Sequence, residues 1–159
     1  MPEGLGIQFL LEGLRHRGAV GAIWPSGRPL VEAMARAATQ RRGRAPLRLL
    51  EVGAGVGPVS AILASRLAPA FPGQDGTPTQ HGDTLDIVEL NPAFCATLRR
   101  NVGHLPGVRV HEGDVLDHAG ESPYDAVVSG LPLANFPAPL VRSLYVHLLR
   151  QLRPGGRLV

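Results

Sequence analysis

Leu49-Leu50-Glu51-Val52-Gly53-Ala54-Gly55-Val56-Gly57-Pro58 decides how the rest of the chain is read. The apolar run from Leu47 to Val52 predicts a short strand buried on both faces. Three glycines at alternate positions then let the backbone turn sharply and approach a ligand with no Cβ in the way. Pro58 suits the first position of a helix, whose N–H is unpaired in any case, and the apolar spacing predicts a helix to about Leu67. Free N–H groups at that helix start favour an electron-rich ligand group beside the glycines. The dinucleotide fingerprint G-x-G-x-x-G would need glycine at position 58, where this chain has proline.

Outward from this corner, strands and helices alternate. Leu85–Leu90, Val108–His111 and Asp125–Ser129 read as strands, and Pro154-Gly155-Gly156 as a turn into a fifth strand from Arg157. Helices are expected from Pro92 to about Asn101 and from Ala138 to about Leu152. Such alternation implies right-handed crossovers and a mostly parallel sheet, an α/β Rossmann-like three-layer sandwich whose ligands sit at the carboxyl ends of the strands. Upstream, Ile7, Leu10, Leu11 and Leu14 form one apolar stripe ending at Arg15 and Arg17. A second helix is expected from Ser26 and Pro29 to about Thr39, and Arg41–Pro46 reads as a basic linker. Ala68–Thr84 carries no periodic signal and reads as a surface loop. The pattern divides into N-terminal helices (1–45) capping the site and a Rossmann-like domain (46–159) that lacks the last strands of such a sheet.

Composition narrows the chemistry. The chain has 159 residues, 44% of them hydrophobic, enough for one packed domain. No apolar run reaches the roughly 18–20 residues of a membrane-spanning helix, and no signal peptide is evident, so a cytoplasmic location is expected. Cys95 is the single cysteine and the six histidines show no ligand spacing, so no metal site is expected. All 16 basic residues are arginine, which removes Schiff-base chemistry and the lysine of a Walker loop. Arginines cluster at 15–17, 41–48 and 99–100, either as solvated helix ends or as patches for an anionic partner.

Acids recur at strand ends. Glu51 precedes the glycines by two residues. Glu89 ends the next strand, where a carboxylate can accept hydrogen bonds from both hydroxyls of a ribose or serve as an acid at the N-terminus of the following helix. Asp114 follows the third strand, suited equally to a ligand contact or to capping a turn. After the fourth strand, Ser129-Gly130-Leu131-Pro132-Leu133-Ala134-Asn135-Phe136-Pro137 offers an oxygen at Ser129, two prolines that stiffen the loop and an apolar wall at Phe136.

Glu51 with Gly53, Gly55 and Gly57 resembles motif I of the S-adenosylmethionine-dependent methyltransferases. The Ser129–Pro137 stretch closely resembles the bacterial phospholipid N-methyltransferases that act on phosphatidylethanolamine. Val20–Ser26 and Leu152–Arg157 are similar to other segments of that family, and a weaker similarity extends to the ribosomal RNA adenine dimethyltransferases. The resemblance implies a class I methyltransferase fold with S-adenosylmethionine as cofactor. It implies that Glu51, Gly53, Ala54, Gly55, Gly57, Glu89, Leu90, Asp114, Val115 and Ser129 hold that cofactor, with Asp114 near the adenine amino group. Ser129 and Asn135 then become the catalytic candidates, Ser129 orienting an attacking amine, and Trp24, Pro25, Ser26, Leu131 and Phe136 the substrate contacts. It further implies an anionic phospholipid surface as partner, met by the N-terminal stripe that could instead cover the sheet, and a peripheral place on the membrane. RNA and protein acceptors remain open, though 4% aromatic content offers little stacking surface for RNA. A non-catalytic module holding cofactor or lipid is the third reading.

Overall fold

The three strands at 48–52, 84–89 and 124–129 are buried along nearly their whole length, as expected for the centre of a parallel sheet covered on both faces. A computed structural model describes residues 27–41, 43, 45–67 and 82–159. Five strands, β1 (Arg48–Val52), β2 (Thr84–Glu89), β3 (Val108–Glu112), β4 (Tyr124–Ser129) and β5 (Leu152–Leu158), form one parallel sheet in the order β3-β2-β1-β4-β5. Four helices flank it: α1 (Gly27–Ala38), α2 (Pro58–Ser65), α3 (Pro92–Asn101) and α4 (Ala138–Arg150). The chain's direction of travel across the sheet reverses between β1 and β4, so the crevice for a ligand opens above the carboxyl ends of those two strands. This is the expected Rossmann-like architecture.

The core has two halves, one on each side of the sheet. On one side Leu49, Leu85, Ile87, Ala126 and Val128 meet Leu63 of α2, Leu98 of α3 and Val31, Ala35 and Ala38 of α1. Val31, Ala35 and Ala38 recur every three to four residues, so α1 lies against the sheet and not apart from it. Arg157 of β5 reinforces this by donating to the Ala37 and Gln40 carbonyls at the α1 C-terminus, each at 2.9 Å. On the other side Leu50, Val52, Val88, Val127 and Phe136 pack with Leu144 and Leu148 of α4. Asn91 starts α3 by accepting from the Ala93 N–H at 2.9 Å, and Pro92 fills the first helical position.

One expectation is corrected at the last strand. Pro154-Gly155-Gly156 does not lie ahead of β5 but inside it: Tyr124 pairs with Leu152 and Ala126 with Arg157. Proline has no N–H for the ladder and Gly155 adopts φ +75°, so the chain bulges out there and rejoins at Arg157.

At the amino ends of the strands, buried acids are held by arginines. Asp83 is paired with Arg41, and Asp86 receives Arg109 Nε at 2.8 Å and the Tyr124 hydroxyl at 2.8 Å, with His111 Nε2 at 3.1 Å. Asp125 accepts from the Arg48 N–H at 2.7 Å and pairs with Arg153. Burial pushes the Asp86 carboxyl up, but the bonds from His111, Tyr124 and Arg109 outweigh it and leave the group below the usual range. A lowered carboxyl contributes stability at neutral pH that disappears as pH falls from the unfolded value through the folded one. Asp86→Ala should therefore destabilise the fold by about 2–4 kcal/mol in urea titrations at pH 7, because it strands a buried hydroxyl. The difference should shrink in acid.

Candidate functional site

Above β1 and β4 the two connecting loops pass close together at Gly53 and Gly130, with the Leu131 side chain lying against Gly53. The Gly53 N–H donates to the Val88 carbonyl at 2.9 Å and the Gly130 N–H to the Val52 carbonyl at 2.8 Å. A Cβ on Gly130 would stand 2.5 Å from the Gly53 carbonyl oxygen, a backbone atom that cannot swing aside. Gly130→Ala should cost about 1–3 kcal/mol in chemical denaturation and displace the Gly53 corner. Gly55, at φ +60°, faces open space. Gly57, at φ +88°, is the residue from which α2 departs, and its missing Cβ lets the corner lie against Leu98 of α3.

Two carboxylates face this corner, and neither is paired with an arginine among the described residues. Glu89 is buried at the end of β2; its Oε1 accepts from the Asn91 N–H at 2.8 Å and its Oε2 from the Gly55 N–H at 2.9 Å. Each oxygen keeps a lone pair free for a further donor. Glu51 is the penultimate residue of β1, two residues before Gly53, and is buried. Desolvation, with the neighbouring Glu89 charge adding to it, pushes its carboxyl up to about 7 despite the nearby Ser60 hydroxyl and N–H. Neither Glu51 Oε2 nor Ser60 Oγ closes a hydrogen bond among the described residues. The contrast with Asp83, Asp86 and Asp125 is physical: those acids are compensated by cations, whereas Glu89 is held by backbone N–H groups and Glu51 has the Ser60 hydroxyl and N–H nearby. Unmet buried acceptors are costly, and a ligand rich in donors relieves them.

The other expected positions are distributed around this pair. Ala54 and Val115 are buried, and Leu90 and Leu131 are half-buried at the loops following β2 and β4. Asp114 caps its own turn, accepting from the Leu116 N–H at 2.9 Å, which is the turn-forming one of its two expected roles. Ser129 Oγ is buried with no partner among the described residues. Asn135 closes a short 3₁₀ turn (Leu133–Asn135) and is exposed. The Phe136 ring is nine-tenths buried against the core beside α4, so only its edge is open to a substrate. Trp24, Pro25, Ser26 and the 7–14 stripe lie outside the described residues. Gly130, Ser60 and Asn91 were not singled out from the sequence; the Ser-Gly pair directly after a strand was the available signal for Gly130.

No protein-family profile matches the chain. It is 29% identical to the ornithine lipid N-methyltransferase of Singulisphaera acidiphila, an alignment spanning 93% of this chain and 72% of that protein. The S-adenosylmethionine-bound structure of CalS10, an amino pentose methyltransferase from Micromonospora echinaspora, superposes with a TM-score of 0.58 at 28% identity, over 93% of this chain and 54% of that one. The chain has the fold of the class I methyltransferases. The same fold is found in NodS, an N-methyltransferase from Bradyrhizobium japonicum solved with S-adenosylhomocysteine, at a TM-score of 0.67 and 16% identity over 92% of this chain and 69% of that one. Against CalS10 the chain spans about half of the partner's length. Among the described residues no helix of this chain is long and apolar enough to cross a membrane, and no acid, histidine or cysteine cluster could hold a metal.

Proposed function

We propose that the chain is an S-adenosylmethionine-dependent N-methyltransferase acting on the amino head group of an aminolipid, phosphatidylethanolamine in the first instance. The observation that carries the cofactor reading is the pair of buried carboxylates without cation partners among the described residues, Glu51 and Glu89, at a glycine corner with open space above Gly55. These residues fit the cofactor's chemistry. Glu89 offers acceptors to two ribose hydroxyls, and the unpaired Glu51 Oε2 suits a cationic amino group. Gly53, Ala54, Gly55 and Gly57 admit close backbone approach, and Leu90, Asp114 and Val115 flank the side where a base would lie.

When bound, S-adenosylmethionine supplies a methyl group activated by a sulfonium. What remains for the protein is to align an acceptor nitrogen with it, and such positioning is worth roughly 7–11 kcal/mol. Ser129 Oγ, with no partner of its own among the described residues, can accept a hydrogen bond from an amine and hold it in line. Leu131 and the edge of Phe136 supply the apolar surroundings that favour the neutral amine, with Asn135 at the rim of the same loop and Trp24, Pro25 and Ser26 proposed to complete the acceptor side. Ser129→Ala should lower kcat about tenfold, the loss of one hydrogen bond, and leave cofactor affinity unchanged. Similarity to a lipid N-methyltransferase supports the lipid amine as acceptor. Incubation with methyl-labelled cofactor and, in separate reactions, phosphatidylethanolamine vesicles, RNA or protein tests it. Label in the lipid fraction is expected; label only in RNA or protein would move the acceptor, and none anywhere would leave a binding module.

A further inference from the structure

The outward face of α4 carries features that neither the core nor the methylation site uses. Leu144 and Leu148 point into the sheet, so Arg142, Tyr145, Val146, Leu149 and Arg150 lie on the opposite side of the helix. Tyr145, Val146 and Leu149 are 43%, 41% and 54% exposed, three of the few large apolar side chains on the described surface. Arg142 and Arg150, two turns apart, stand exposed on the same face with no ion pair among the described residues. With Ser143, Val146 and His147 they line a shallow groove of about 320 Å³. No acidic residue occurs anywhere in Ala138–Arg150.

We infer that this face of α4 docks the protein on an anionic phospholipid surface, with lipid phosphates drawn to the groove between Arg142 and Arg150 and with Tyr145, Val146 and Leu149 entering the headgroup boundary. Charge complementarity selects the occupant. A face carrying two unpaired guanidiniums and no carboxylate is repelled by an identical copy of itself, whereas negative lipid attracts it and the apolar side chains between them favour an interface over a dissolved anion. Helix α4 begins directly after the Ser129–Pro137 loop, so a bilayer lying along it comes beside the mouth of the methylation site. The inference concerns attachment, and goes beyond the acceptor assignment on which its usefulness to the enzyme rests.

Co-sedimentation of the whole chain with vesicles of phosphatidylcholine, with and without phosphatidylglycerol, tests it in the absence of cofactor. Binding is expected only to the phosphatidylglycerol vesicles and should fall as salt rises. Arg142→Gln with Arg150→Gln should weaken it roughly 25-fold, at about a fivefold loss per basic residue, and Tyr145→Ser with Leu149→Ser should also reduce it. Unchanged thermal melting and unchanged S-adenosylhomocysteine affinity show that both pairs fold. Equal vesicle binding by wild type and the arginine pair, absence of binding, or a dimer in light scattering that Leu149→Ser dissolves would each overturn the inference. Because sedimentation needs no turnover, docking without lipid methylation and lipid methylation without docking are told apart.

Discussion

Glu89→Ala should abolish measurable cofactor binding, with a loss of at least about 100-fold in equilibrium dialysis against labelled S-adenosylmethionine. A hydrogen bond to a charged acceptor is worth about 1.5–3 kcal/mol, and the carboxylate is positioned to accept two from a ribose. The same substitution removes the acceptors of the Gly55 and Asn91 N–H groups, so the glycine corner loses its tie to β2 as well. Glu89→Gln separates the two effects. It keeps the side chain's size and one acceptor oxygen but turns an amide nitrogen toward one of the two backbone donors, so it should fold with about 1–3 kcal/mol less stability and bind more weakly by about tenfold or more. An undiminished affinity in Glu89→Gln would remove Glu89 from the ribose role.

Glu51→Gln should move stability and binding in opposite directions. The folded carboxyl titrates near pH 7, above its ordinary value of 4.5, because it is buried. Between those values the native state holds a proton that the unfolded chain has released, so stability declines as pH rises and levels off above about 7. The accumulated decline is of order 3 kcal/mol. Gln cannot ionise, so relative to its value in acid, below the unfolded pKa of 4.5, the variant's stability should gain on wild type as pH rises, by up to about 3 kcal/mol at pH 8 in urea titrations. Cofactor affinity should instead fall, because a neutral amide no longer attracts a cationic amino group. Wild-type affinity should rise as pH increases through 7, and that rise should be absent from the variant. A stabilised variant that still binds with the wild-type pH profile would show that the cofactor does not touch Glu51.

Much of this was legible in the chain because it depends on local order. A strand, an acid, alternating glycines and a proline at a helix start are all within ten residues around Gly53, and Glu89 follows one helix and one strand later. What was hidden depends on register between distant strands. Asp86 and Glu89 sit three residues apart in the same strand, and nothing in their own sequence says that one will face Arg109, His111 and Tyr124 while the other faces bare N–H groups. Gly130 matters because the Gly53 carbonyl comes within reach of its missing side chain, across more than seventy residues of chain. Pro154-Gly155-Gly156 signals a turn wherever it stands; only the pairing of Leu152 with Tyr124 places that turn inside a strand. Asp114 suits both a turn and a ligand contact, and its bond from the Leu116 N–H makes the turn.

Isothermal titration calorimetry of the folded chain with S-adenosylhomocysteine, at a pH above 7, tests the central claim most directly. One molecule should bind per chain, with heat that disappears in Glu89→Ala and with no requirement for lipid. A cooperatively melting protein that takes up no S-adenosylhomocysteine, or that binds it equally well without the Glu89 carboxylate, would contradict the account.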